Sequence, residues 1–187
     1  MTRIGGIKRV DATWAEFDGS ATERDFVELA LQPELEVLQC SVPVPEELWR
    51  TINAVFFSAR PDVGLRVYGY YGLTCDLSFT RLLPNVQRFS ADGLNKPTDV
   101  EHIAAMTELR SLRLGIFDLK DLNILERVPA EITSLSLEAT RNKRASLKVL
   151  SRFRALKELY LEGHSTDIEV LGELSGLENL TLRSITT

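Results

Sequence analysis

Leu156-Lys157-Glu158-Leu159-Tyr160-Leu161 places three leucines at intervals of three and then two residues. The residues before it keep the first interval, with Leu147, Leu150 and Phe153 at every third position. The next stretch repeats the figure: Ile168, Leu171 and Leu174 lead into Leu177, Leu180 and Leu182. A three-residue period is that of tight 3₁₀ turns, whereas a pair two residues apart belongs to a short strand with one buried face. The pattern therefore predicts a unit made of one tight limb and one strand. In that register Leu135, Leu159 and Leu180 are expected to be fully buried.

Read backwards, the first apolar position of the unit returns at Ile132, Leu109, Val86, Asp62 and Leu35, so that from Leu35 to Leu177 the intervals are 27, 24, 23, 23, 24 and 21 residues. On these residues the chain resembles the leucine-rich repeat family, in its short internalin-like class, whose unit has a period of this size. The resemblance implies an α/β solenoid: a horseshoe of about seven repeats with a parallel concave sheet and short helical or 3₁₀ convex limbs. Departures from the family pattern are Asp62 at a first position, Cys40 and Ala91 at last positions, and Thr80 within a limb. The family's asparagine ladder is replaced by Tyr70, Leu94, Phe117, Thr140, His164 and Ile185. The run from Arg60 to Gly69 also resembles a segment of bacterial cytoplasmic repeat proteins, which implies a bacterial source and no particular activity.

At 187 residues and 44% hydrophobic the chain is large enough to bury a core, here as a continuous stack. A net charge of −5 with interleaved signs gives no basic field for nucleic acid. No apolar run suits a signal peptide or a membrane span, and only two cysteines are present, so a cytoplasmic protein is expected. The sequon Asn179-Leu180-Thr181 falls in a predicted strand and is read as accidental.

Residues 1–31 precede the regular units and are expected to form an N-terminal cap, with Trp14 and Phe17 as its plugs. A helix from Thr22 to Leu31 follows a capping box of Ser20 and Glu23. Residues 32–187 are expected to be repeats without a C-terminal cap, either part of a longer array or open to self-association at Thr187. Within them Pro45 starts an amphipathic helix whose stripe is Leu48, Ile52, Val55 and Phe56, ending before Pro61. Thr98 with Glu101 and Thr166 with Glu169 have capping-box spacing, which predicts a helical turn in their limbs.

Strand alternation sends the residues flanking each buried pair to the opposite face of the sheet. Small residues line its middle: Ser90, Ser111, Gly115, Ser134 and Ser136. Arg66, Tyr68, Arg88, Asp92 and Arg113 lie towards one end; Glu138, Glu158, Tyr160, Glu162 and Arg183 lie towards the other. These ten are the candidate partner-binding residues of a bipolar groove, because arginine and tyrosine are enriched among interface hot spots and opposed charges set orientation.

Catalytic chemistry is not predicted. Cys40 reads as core and Cys75 as a loop residue, and His102 and His164 read as surface or turn histidines with no acidic or cysteine partner at metal-ligand spacing. Gly69 and Gly72 lack the lysine of a phosphate loop. Glu158 and Glu162 share a face, but nothing in the sequence sets their pKa values apart. The expectation is a non-catalytic protein-protein interaction module, such as an immunity or adaptor protein, that binds another protein or peptide without metal or cofactor. The alternative is the recognition segment of a larger enzyme or effector.

Overall fold

Where the leucines recur, strands form side by side in register. A computed structural model describes residues 3–142 and 144–185; the expected end of the array at Thr187 lies outside them. Among the described residues the strands make one open sheet in chain order. Its first three strands, β1 (Arg3–Ile4), β2 (Ile7–Arg9) and β3 (Trp14–Phe17), form an antiparallel meander in which β2 pairs with both of the others. All later pairings are parallel, through β4 (Val37–Cys40), β5 (Gly64–Tyr68), β6 (Arg88–Leu94), β7 (Ser111–Ile116), β8 (Ser134–Leu137), β9 (Glu158–Glu162) and β10 (Asn179–Arg183).

The predicted limbs are 3₁₀ turns at Leu77–Leu82, Val100–Ala105, Asn123–Glu126, Lys148–Arg152 and Ile168–Glu173. Thr98 and Thr166 do not cap theirs. Asp99 and Asp167 occupy the cap positions in the left-handed conformation, at φ 57° and 61°. The Thr98 and Thr166 carbonyls instead accept from Leu77 and Leu147, at 3.0 and 3.1 Å, tying neighbouring units together.

Inward-facing residues stack from rung to rung, Leu65 on Phe89, Leu112, Leu135 and Leu159, and all five are buried. Leu180 continues the row but is 45% exposed, contrary to expectation, because β10 pairs on one side only among the described residues and Leu182 beside it is equally open.

Aromatic packing replaces leucine near the amino terminus. Phe17 meets Phe26 and Trp49 edge-on at 5.6 and 5.4 Å, and Trp49 stacks on Phe79 at 4.1 Å. Trp14 is no plug. It pairs with Val37 on the outward side of the sheet, while Ala15 and Phe17 point inward. Helix α1 spans Glu23–Ala30 and is capped by Thr22 with Asp25, not by Ser20 with Glu23; the Asp25 carboxylate accepts from the Thr22 N–H at 2.9 Å and the Gly6 N–H at 3.1 Å. Burial alone would raise the pKa of Asp25, but these hydrogen bonds outweigh it and hold the group below the usual carboxylate range.

The expected amphipathic helix forms as α2 (Glu46–Thr51) and then widens into a π-helical turn, Ile52–Phe57. Its buried stripe is Trp49, Ile52, Phe56 and Phe57, with Leu48 and Val55 only partly buried. The turn is closed by the Ser58 N–H donating to the Asn53 carbonyl at 3.2 Å, five residues back, which is the π-helical spacing. The ladder positions are served without asparagine. Thr140 donates to the Asn142 carbonyl at 2.9 Å, and His164, buried rather than on the surface, places Nε2 3.0 Å from the Glu138 carbonyl. A carbonyl only accepts, so Nε2 carries the proton.

Candidate concave interface

The register of β4 to β10 arranges the outward residues in three rows across the strands. The first row is Val37, Gly64, Arg88, Ser111, Ser134, Glu158 and Asn179. The second is Gln39, Arg66, Ser90, Arg113, Ser136, Tyr160 and Thr181. Tyr68, Asp92, Glu138, Glu162 and Arg183 make a third row, acidic along its middle. Between Ala91 and Leu94 the register shifts, and Gly115 sits beside the irregularity. A Cβ there would fall 2.4 Å from a Glu138 carboxylate oxygen, so the absence of a side chain lets Glu138 lie back over the sheet.

That position matters because the second row leans onto the third. Arg66 Nε donates to Asp92 at 2.8 Å and Nη1 to Gln39 at 2.9 Å, with the guanidinium 4.3 Å from the Tyr68 ring and 5.5 Å from the Trp14 ring. Arg113 Nε donates to Glu138 at 2.7 Å. Tyr160 donates to Glu162 at 3.0 Å, and Arg183 lies 3.5 Å from the same carboxylate. Tyr68 donates to Glu16 at 2.8 Å; burial, with that bond next, raises its pKa. The expected separation into a basic and an acidic end is thus largely cancelled by short ion pairs between neighbouring strands. Arg88 and Glu158 differ. Among the described residues neither has an oppositely charged partner at salt-bridge distance, and Arg88 makes one hydrogen bond, to the Asp62 carbonyl at 3.2 Å.

A hollow of about 470 Å³ opens between β5 and β8, floored by Ser90, Ser111, Ser134 and Ser136, and bordered by Trp14, Arg66, Arg88, Asp92 and Arg113. The Ser90 hydroxyl oxygen is buried without a hydrogen-bond partner. Tyr160, Glu158, Glu162 and Arg183 lie on the two strands beyond it. Trp14 and Glu16 are the members of this face that the sequence reading left out. Their signal is the two-residue alternation of β3, with Ala15 and Phe17 inward and Trp14 and Glu16 outward.

Away from this face, Cys40 and Cys75 are free, buried thiols, each pushed up to about 12 by burial, with the Tyr70 hydroxyl beside both. The nucleophilic form of cysteine is the thiolate, which neither adopts near neutrality. Contrary to the reading of His102 as lacking ligand-spaced neighbours, its ring comes together with Asp99 and Glu101, ligand atoms within 4.8 Å, on a solvent-facing limb.

No protein-family model matches the sequence, and no curated protein matches it. Among solved structures the chain is similar to an internalin, inlF, of Listeria monocytogenes, with a TM-score of 0.59 and 19% identity over 92% of this chain and 48% of that one. The chain thus spans about half the length of that internalin. The likeness shows the fold: an internalin-like leucine-rich repeat solenoid, an open horseshoe with a mostly parallel sheet and short convex limbs.

Proposed function

We propose that this leucine-rich repeat solenoid is a non-catalytic interaction module that holds another protein or peptide against its outward sheet face. The observation that carries the reading is the in-register face itself, where seven parallel strands hold arginine, tyrosine and carboxylate side chains at fixed spacing around a hollow. The backbone that carries this face is already set by the strand register, which lowers the entropic cost of association. Residues 1–31 serve as the cap and residues 32–187 as the repeats. The partner is a protein rather than nucleic acid, given the net charge of −5. An immunity or adaptor role in a bacterial cytoplasm fits a protein with two free, buried thiols. No helix among the described residues is long and apolar enough to cross a membrane.

The test is capture from a bacterial lysate by the parent chain beside an Arg66→Glu, Arg88→Glu, Arg113→Glu variant with an unchanged melt. A protein held by the parent and lost by the variant is the expected result. A partner retained equally by both would refute the assignment to this face, and retention of nothing by either would refute the module. Losing a true anchor costs about 2 kcal/mol or more of binding.

A further inference from the structure

Eight of the ten candidate contact residues already bond to neighbours on the sheet: Arg66 with Asp92, Arg113 with Glu138, Tyr160 and Arg183 with Glu162, and Tyr68 with Glu16. A partner that used these groups would have to break an existing pair to make a new one, and the exchange gains little. Arg88, held by one hydrogen bond to the Asp62 carbonyl, and Glu158 offer a charge to a partner without breaking an ion pair among the described residues.

Resting on the interaction reading above, we propose that recognition runs along the first row, from Arg88 over Ser111 and Ser134 to Glu158. The occupant is an extended segment of a partner protein that crosses the strands, with an acidic residue on Arg88 and a basic residue on Glu158.

Register places these two charges three strands apart. At roughly 4.8 Å per strand their backbone positions stand about 14 Å from each other, the reach of about four residues of extended chain. Between them lie only two serines, whose hydroxyls can donate to and accept from a peptide backbone. Ser90, one row in, lines the same hollow. Beyond Arg88 the row continues over Gly64, which has no side chain to bar the way, to Val37 and the Trp14 ring. The segment therefore carries an apolar residue on the far side of its acidic one. An α-helix, about 10–12 Å across, would have to press on the Arg66–Asp92 and Arg113–Glu138 pairs as well; an extended strand clears them.

The experiment is selection of a random dodecapeptide display library on the immobilised full chain, followed by fluorescence anisotropy with the synthetic winners. Arg88→Glu, Glu158→Lys and the double variant are measured in parallel. The expected winners carry an acidic and a basic residue about four positions apart, lose affinity about tenfold with either single reversal, and regain it on the double variant when the peptide charges are exchanged. Winners without that charge pattern, or unaffected by both reversals, overturn the proposal. If such winners are instead lost with Tyr160→Ala or Arg66→Ala, binding to the face survives while the line along the first row falls. If winners bind every sheet-face variant equally, the interaction reading fails too. Displacement by inorganic sulfate with Glu158→Lys neutral would indicate an anion site at Arg88 alone, which also refutes the two-point line.

Discussion

Leu159 and Leu180 occupy the same position in successive units and differ in environment, one 2% and the other 45% exposed. Truncating a buried leucine removes its transfer energy and leaves a cavity, whereas an exposed one loses only part of the first term. Leu159→Ala is therefore expected to cost about 2–5 kcal/mol and Leu180→Ala less than about half as much. Chemical denaturation of the two variants beside the parent checks it, and equal losses would contradict the exposure of β10. Side-chain pairing on the outward face follows a different logic. Arg113 reaches Glu138 across 25 positions of sequence because Gly115 leaves room beneath the carboxylate, a relation between three residues that no spacing rule encodes.

Arginines tie the elements together where the limbs turn. Arg152 Nη1 donates to the carbonyls of Leu125 and Val128, both at 2.6 Å, so the limb of one unit closes the end of the limb before it. Arg60 does the same near the amino terminus, donating to Gln32 at 2.6 Å and Leu35 at 3.0 Å while its pKa is raised, chiefly by its hydrogen bond to Asp62. Arg152→Ala is expected to lower stability by about 1–3 kcal/mol, with Arg152→Lys restoring only part, because an ammonium ends one bond short of Nη1 and lacks the planar group that lies 5.2 Å from the Phe153 ring. Thermal melts of both variants check this; a full rescue by lysine would mean that charge alone is needed. At this scale the sequence is legible in proportion to its regularity. From β5 onward the apolar period yields strand register and limb type together. It misleads where the helix widens after Thr51 into a π-helical turn, where Trp14 joins the sheet face, and where Asp25 displaces Glu23 in the cap. In each case a pattern with two local solutions is decided by packing against a distant unit. The outward rows were legible for the same reason as the register, but their ion pairs were not, since partners are set by the reach of flexible side chains.

As a whole the molecule is a stack in which each rung rests on its neighbours, so stability adds unit by unit along the chain. Amide exchange is expected to be slowest in β5 to β8, where both sheet neighbours and both core rows are present, and fastest in β10, whose residues are all exposed. Mass-resolved exchange at peptide level reads this directly; uniform protection from β4 to β10 would show a single cooperative unit instead. The two tryptophans lie toward the amino-terminal end of the stack. Trp49 is stacked on Phe79 within the aromatic core, and Trp14 borders the hollow on the sheet face. The molecule thus carries two optical probes with separate duties: emission from Trp49 follows the melting of one end of the solenoid, and emission from Trp14 follows what enters the groove.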